Sequence, residues 1–153
     1  MRILVVDDDL ESEDLRQMFK ARLTVFRSGG KLDDKILGDI LDARIKENGF
    51  ELDFAFDGDK ALTQYRQYGP YDLVLTDLYH PGIDGLDLAR AILQENPEQA
   101  IAMFTACITP GPSLEAMWKL RISVADKLDS WEALSLLVED AVARHRKSRP
   151  VVH

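Results

Sequence analysis

Two stretches of the chain end an apolar run on carboxylates. "RILVVDDD", residues 2–9, closes on Asp7, Asp8 and Asp9, and "LVLTDLYHPGIDG", residues 73–85, sets Asp77 after "LVLT". The residues beyond Asp77 include Pro81, Gly82, Asp84 and Gly85, all loop formers. A third apolar run, "AIAMF", is followed by the hydroxyl of Thr105, and a weaker "ISVAD" is followed by Lys127. Adjacent carboxylates repel, so three or four of them persist most readily around a hard cation with oxygen ligands. Mg2+ suits the set, because it takes one or two carboxylates, a carbonyl and several waters and leaves room for a phosphate oxygen. A carboxylate at such a metal can attack phosphorus and become an aspartyl phosphate. A hydroxyl such as Thr105 and an ammonium such as Lys127 would then offset charge on the transferred group.

Each of these residues also has a plainer reading. Asp7–Asp9 serve equally as a helix cap and first-turn acids. Asp77 can form a turn, Thr105 can cap a strand end, and Lys127 can be a surface lysine. Those readings need four separate causes for four strand ends that all carry phosphoryl-transfer groups. A shared site needs one.

The groups act together only if the strands lie parallel in one sheet, since ligands of open parallel sheets bind outside the carboxyl ends of the strands. Short apolar runs alternate here with helical patterns, the signature of βα units. Strands are expected at residues 2–6, 51–56, 73–76, 100–104 and 122–126. The first, third and fourth are apolar on both faces, as strands covered by helices on each side must be. "ELDFAF", residues 51–56, alternates more and belongs at an edge.

Helices are expected at residues 58–68, 85–95 and 113–120. A last one runs from Asp129 to about Arg146, opening on a capping-box-like Asp129 and Glu132 and carrying Leu134, Leu137, Val138 and Ala141 as its stripe. The first crossover is unusually long, about forty residues, enough for two helices. One spans residues 12 to about 23 with Leu15, Met18, Phe19 and Leu23 on a stripe. "RSGG", residues 27–30, breaks the chain, and a second helix spans residues 31 to about 48 with Leu32, Ile36, Leu37, Ile40 and Leu41, closed by Gly49.

The chain has 153 residues, 46% hydrophobic and 30% charged, which suits one domain around a single core. Its net charge of −8 opposes binding to nucleic acid or an anionic membrane, since both attract cations. The basic "RHRKSR" at residues 144–149 reads as a helix end with cations on the negative pole of the dipole. Cys107 is the single cysteine, which excludes an intrachain disulfide and suits a reducing compartment. No apolar run reaches the roughly 18 residues of a membrane span, and "MRILVVDDD" turns acidic too early for a secretory signal. These features predict a soluble, cytoplasmic protein.

The pieces "ILVVDDD", "FDGDKAL", "YDLVLTDLYHPGIDGLDL", "AMFTA" and "ADK", in that order and with compatible spacing, resemble the receiver domain of two-component response regulators. The resemblance covers nearly the whole chain and is most specific around Asp77. It implies the flavodoxin-like receiver fold, an α/β, doubly wound five-stranded parallel sheet in the order 2-1-3-4-5, here with an extra helical segment between strands 1 and 2. One domain over residues 1–147 is implied, with residues 11–32 as an insertion or extended first helix and residues 148–153 as a tail. By position, Asp77 resembles the phosphoacceptor that takes a phosphoryl group from a histidine kinase or phosphotransfer protein. The Mg2+ ligands implied are Asp8 directly, Asp7 through water, Asp77 itself and the Tyr79 backbone carbonyl. Thr105 would bond the phosphoryl oxygens and Lys127 would pair with them. Asp9 is left as an N-terminal cap.

The family pattern is broken in three places. Leu128 follows Lys127 where the family has a cis proline, and a cis bond before a non-proline residue costs about 3 kcal/mol. A trans bond there would move the lysine. Val124 stands where the family keeps an aromatic switch residue, and Pro110 and Pro112 should shorten the helix that follows them. Trp118 and Trp131, on that same face, read as half-buried packing residues. Tyr79 and Cys107 lie two residues beyond Asp77 and Thr105, and the Tyr79 ring is expected to slow hydrolysis of the phosphate.

The reading that follows is a phosphorylation-dependent switch without an output domain. It would use Mg2+, catalyse only its own phosphoryl transfer and dephosphorylation, and act on an unidentified downstream protein. The 11–32 segment is expected to pack on the side of the domain or form a homodimer contact rather than close as a lid. The alternative is a phosphorylation-independent, receiver-like adaptor. A Mg2+-dependent phosphatase is disfavoured, because Tyr79 occupies the place of the second aspartate such enzymes use.

Overall fold

The computed structural model describes residues 1–24, 34–47, 49–106, 110–126, 136–140 and 143. Five strands form one sheet: β1 (Arg2–Val6), β2 (Glu51–Ala55), β3 (Leu73–Thr76), β4 (Ile101–Thr105) and β5 (Ser123–Asp126). Every neighbouring pair is parallel, and the order is β2-β1-β3-β4-β5, so the implied sheet is the one observed. β2 lies at the edge, as its alternation requires. The helices are α1 (Glu13–Thr24), α2 (Asp34–Glu47), α3 (Gly58–Tyr68), α4 (Gly85–Glu95) and α5 (Pro112–Lys119), and residues 136–140 are helical as well. The α3 and α4 boundaries are those expected, because each helix begins after an aspartate, Asp57 or Asp84, whose carboxylate accepts a backbone N–H of the first turn. α5 is only eight residues long and begins at Pro112, as the prolines dictate.

Period-two alternation divides the strands between two cores. Leu4, Val6, Val74, Ile101 and Met103 face one side, under α3, α4 and α5. Ile3, Val5, Leu73, Leu75, Ala102 and Phe104 face the other, where α1 supplies Phe19 and Leu23 and the last helix supplies Leu137 and Val138. Among the described residues no helix is long and apolar enough to cross a membrane.

The long crossover holds two helices side by side. Lys20 Nζ lies 2.7 Å from Asp42 Oδ1. Gln17 fits against Gly38, where an added Cβ would lie 2.9 Å from its Nε2. Position 17 thus faces 38 and position 20 faces 42, so α1 and α2 run in the same direction. Residues 25–33, which include "RSGG", lie outside the described part. α2 ends in a glycine cap: Gly49 has φ +77°, and its N–H donates to the Lys46 carbonyl.

Several details differ from the expectation. Of the four apolar residues assigned to the α1 stripe, Phe19 and Leu23 are buried, whereas Leu15 and Met18 are 40% and 48% exposed. The chain enters α1 through a short 3-10 helix, Asp8–Glu11, in which Leu10 is already buried, and only the Phe19/Leu23 edge of the stripe then meets the sheet. In α2, Leu41 is buried and Ile36 exposed, and Ile45, outside the expected stripe, is buried too. Trp118 is 67% exposed rather than half-buried, because α5 turns Met117 inward next to it. Trp131 and the Asp129–Glu132 cap lie outside the described residues.

The Phe19 ring meets the Phe54 ring edge-on at 6.2 Å between centroids, which locks α1 to the edge strand. Phe19→Ala should therefore cost about 3 kcal/mol, read as a lower urea midpoint at unchanged slope. Leu15→Ala on the exposed edge of the same helix should stay within about 0.5 kcal/mol of wild type.

Candidate functional site

β1 and β3 end flush. Val6 pairs with Thr76, the Asp77 N–H donates to the Val6 carbonyl at 2.9 Å, and the Asp7 N–H donates to the Ala55 carbonyl at 3.1 Å. Asp7 and Asp77 therefore leave neighbouring strands side by side, at a strand spacing of about 4.8 Å. Asp7 is buried, at 7% exposure, and its backbone is still extended. Its Oδ1 accepts the Asp9 N–H at 3.0 Å, so Asp7 caps the 3-10 helix. This corrects the expectation for Asp9: it supplies the N–H, and Asp7 supplies the cap. The reason is conformational, since the residue at the extended strand end is the one whose side chain reaches an N–H two positions ahead.

One carboxylate oxygen from each of Asp7, Asp8 and Asp9 lies within 4.8 Å of the others. Two like charges at that spacing repel by roughly 3 kcal/mol at an effective dielectric of about 20. The donor set is all oxygen and anionic, which fits a hard divalent cation such as Mg2+.

Asp77 itself is half-buried, and its Oδ1 lies 3.4 Å from the Tyr79 N–H. The loop that follows is held by close contacts. Gly85 opens α4 directly above Asp77, where an added Cβ would stand 2.2 Å from the Asp77 carbonyl oxygen. The Gly85 N–H donates to the Leu78 carbonyl at 2.8 Å. The loop also nests into the turn between β2 and α3. The Gly58 N–H donates to the Pro81 carbonyl at 3.0 Å, and a Cβ on Gly58 would lie 2.1 Å from the Ile83 carbonyl oxygen and 2.9 Å from His80 Cε1. Inside the loop the Thr76 hydroxyl donates to the Asp77 carbonyl at 2.8 Å and lies 3.1 Å from His80 Nε2.

Thr105 ends β4 and is buried, at 2% exposure. It lines a cavity of about 150 Å³ together with Leu78, Tyr79, Pro112, Met117 and Val124. The Tyr79 side chain, 63% exposed, stands at its edge. Thr105 pairs in register with Asp126, the last described residue of β5. Lys127, Leu128 and Cys107 lie outside the described residues.

The structure thus brings Asp7, Asp8 and Asp9 together, puts Asp77 on the next strand, and aligns Tyr79 and Thr105 along the same rim. Sequence reasoning missed the support beneath them: Thr76, His80, Gly58 and Gly85. The signal for Gly85 was present in the Asp84-Gly85 pair, a cap followed by a residue without a side chain. Nothing local marks Gly58 or His80, whose neighbours come from different loops.

The sheet is doubly wound and parallel, with acids at the ends of its first and third strands and a hydroxyl at the end of its fourth. A family model, the response regulator receiver domain, matches residues 33–120, more than half of the chain, and the chain belongs to that family. The match includes Asp77, Tyr79 and Thr105 and begins at the foot of α2, so Asp7, Asp8 and Lys127 fall outside it. The transcriptional regulatory protein DltR of Streptococcus agalactiae is 35% identical over 74 residues, covering 48% of this chain and 33% of that protein, so the match spans a third of the relative's length. A CheY-like receiver domain from Methanospirillum hungatei JF-1 superposes with a TM-score of 0.70 at 17% identity, covering 97% of this chain and 98% of its own. The response regulator TrrA of Thermotoga maritima, solved in complex with Mg2+ and BeF, superposes with a TM-score of 0.62 at 27% identity, covering 92% of this chain and 97% of its own.

Gly85→Ala tests how tightly the acceptor loop is held. The new methyl group must displace either α4 or the Asp77 carbonyl, so the variant should lose about 1–3 kcal/mol in chemical denaturation and shift the amide resonances of residues 77–79.

Proposed function

We propose that this chain is a phosphorylation switch in which Asp77 accepts a phosphoryl group from a histidine kinase or phosphotransfer protein in the cytoplasm, and a downstream partner protein reads the phosphorylated form. The observation that supports this reading is the flush end of β1 and β3, which brings Asp77 to the end of the strand next to the one that carries the Asp7–Asp9 cluster. Asp7, Asp8 and Asp77 with the Tyr79 carbonyl would hold Mg2+, which when bound offsets the charge of the transferring phosphate. The TrrA structure, with Mg2+ and BeF, supports that chemistry by likeness.

The transfer itself follows from the chain's own groups. A carboxylate oxygen of Asp77 attacks phosphorus, the P–N bond to the donor histidine breaks, and the electron pair leaves with the imidazole nitrogen, which takes up a proton. The Thr105 hydroxyl donates to a phosphoryl oxygen, and the Lys127 ammonium pairs with another. Reversal of the signal is attack by water at phosphorus with the Asp77 carboxylate as leaving group. The Tyr79 side chain is mostly exposed and lines the cavity next to Thr105, from where its ring would obstruct the approach of that water and lengthen the signal. The chain's catalysis is confined to these steps on itself.

The test is incubation with Mg2+ and a small phosphodonor such as acetyl phosphate. Wild type should gain one phosphoryl group in a hydroxylamine-sensitive linkage, and Asp77→Asn should gain none. No adduct with any donor would favour the adaptor reading, and steady turnover of unrelated phosphate esters would favour a phosphatase. In the same assay Tyr79→Ala should shorten the lifetime of the adduct severalfold; an unchanged lifetime would exclude the ring as a shield.

A further inference from the structure

The acceptor loop contains a side chain that the proposed phosphoryl transfer does not use. His80 lies three residues beyond Asp77, and its Nδ1 is buried without a hydrogen-bond partner. Its Nε2 is 3.1 Å from Thr76 Oγ1. Thr76 is buried at 1% exposure, and its hydroxyl donates its only proton to the Asp77 carbonyl at 2.8 Å. The hydroxyl oxygen can then only accept from His80, which assigns the Nε2–H tautomer. A second contact also holds the ring. Its Cε1 stands where a Cβ on Gly58 would come within 2.9 Å, so the ring is pressed against the backbone of the β2–α3 turn.

This places Tyr79 between two anchors. On one side the Leu78 carbonyl is tied to the Gly85 N–H at 2.8 Å. On the other, His80 is tied to Thr76, the last residue of β3. The direction of the Tyr79 carbonyl depends on both, and so does the Asp77 carboxylate, whose Oδ1 faces the Tyr79 N–H.

We infer that His80 is a positioning residue: by donating to Thr76 it fixes the loop geometry in which the Asp77 carboxylate and the Tyr79 carbonyl face one cation. The role requires a donor at this place, not a charge. Removing such an outer partner of a metal ligand typically weakens metal binding by 10–100-fold. The inference rests on the proposed function for the identity of the acceptor and the cation.

The experiment compares wild type with His80→Met, His80→Gln and Thr76→Val. Calorimetric Mg2+ titration and the rate of adduct formation from acetyl phosphate are the two functional readouts, and melting temperature checks folding. His80→Met should bind Mg2+ about tenfold more weakly and phosphorylate more slowly. His80→Gln, whose amide can donate to the same hydroxyl, should recover to within about twofold of wild type. Thr76→Val, which also removes the donation to the Asp77 carbonyl, should bind Mg2+ at least as weakly as His80→Met, and the double variant should be no worse than Thr76→Val alone, as expected if His80 acts through that hydroxyl. Nitrogen NMR of the His80 ring should show the proton on Nε2.

Equal behaviour of the Met and Gln variants, additive singles, or a proton on Nδ1 would overturn the inference. If His80→Met fails to fold, Thr76→Val and the ring tautomer decide. An adduct on wild type with variants that match it refutes the His80 role alone. Mg2+ binding without an adduct refutes the acceptor reading, and the metal titrations of the variants still decide the role of His80. A wild-type protein that binds no Mg2+ overturns both.

Discussion

The hydrogen bond from the Asp77 N–H to the Val6 carbonyl is the constraint from which the site follows. It is the last rung of the β1–β3 ladder, and beyond it both chains leave the sheet on aspartate. Up to Val6 and Thr76 the strands are covered by helices on both faces, so almost every side chain must be apolar or internally bonded. The first position past that cover is the first at which a carboxylate can meet solvent or a cation, and both strands reach it at the same level. A slip of one residue in the pairing would turn the apolar side chains to the wrong face of each strand. The two cores therefore hold the register, and the register holds the acids together.

The loop after Asp77 shows how close approach replaces bulk. Gly85 and Gly58 stand where a single methyl group would come within 2.2 Å of a carbonyl oxygen. They let α4 descend onto Asp77 and let the β2–α3 turn support the loop from beneath. The edge strand β2 thus matters to the site although it contributes none of the carboxylates. It receives the Asp7 N–H at Ala55, and the turn after it carries Gly58. What holds β2 in place also holds the site, including the Phe19–Phe54 contact from the crossover.

The crossover itself gives its two helices different places. The match to the family model begins at residue 33, just before α2. By position it is α1 that covers the sheet, with Phe19 and Leu23 in the core beside Ile3, Val5 and Leu75. α2 lies against α1 through Gln17–Gly38 and Lys20–Asp42. α1 is thus part of the packed face of the domain.

The sequence by itself determined the strand positions, the sheet order through the resemblance, the bounds of α3 and α4, and the residues of the rim. These are local matters: period-two alternation, a capping aspartate and a strand end are each written within one or two turns of chain. Only the tertiary structure decided which edge of the α1 stripe faces inward, since Leu15, Met18, Phe19 and Leu23 are all apolar and the angle of entry through the Asp8–Glu11 turn selects among them. It also decided that Asp7 and not Asp9 is the cap, and that Gly58, Gly85 and His80 form the underside of the acceptor loop. The contacts of Gly58 with Ile83 and His80 join separate turns, and their distances are set by how the two cores pack. No short window of sequence contains them.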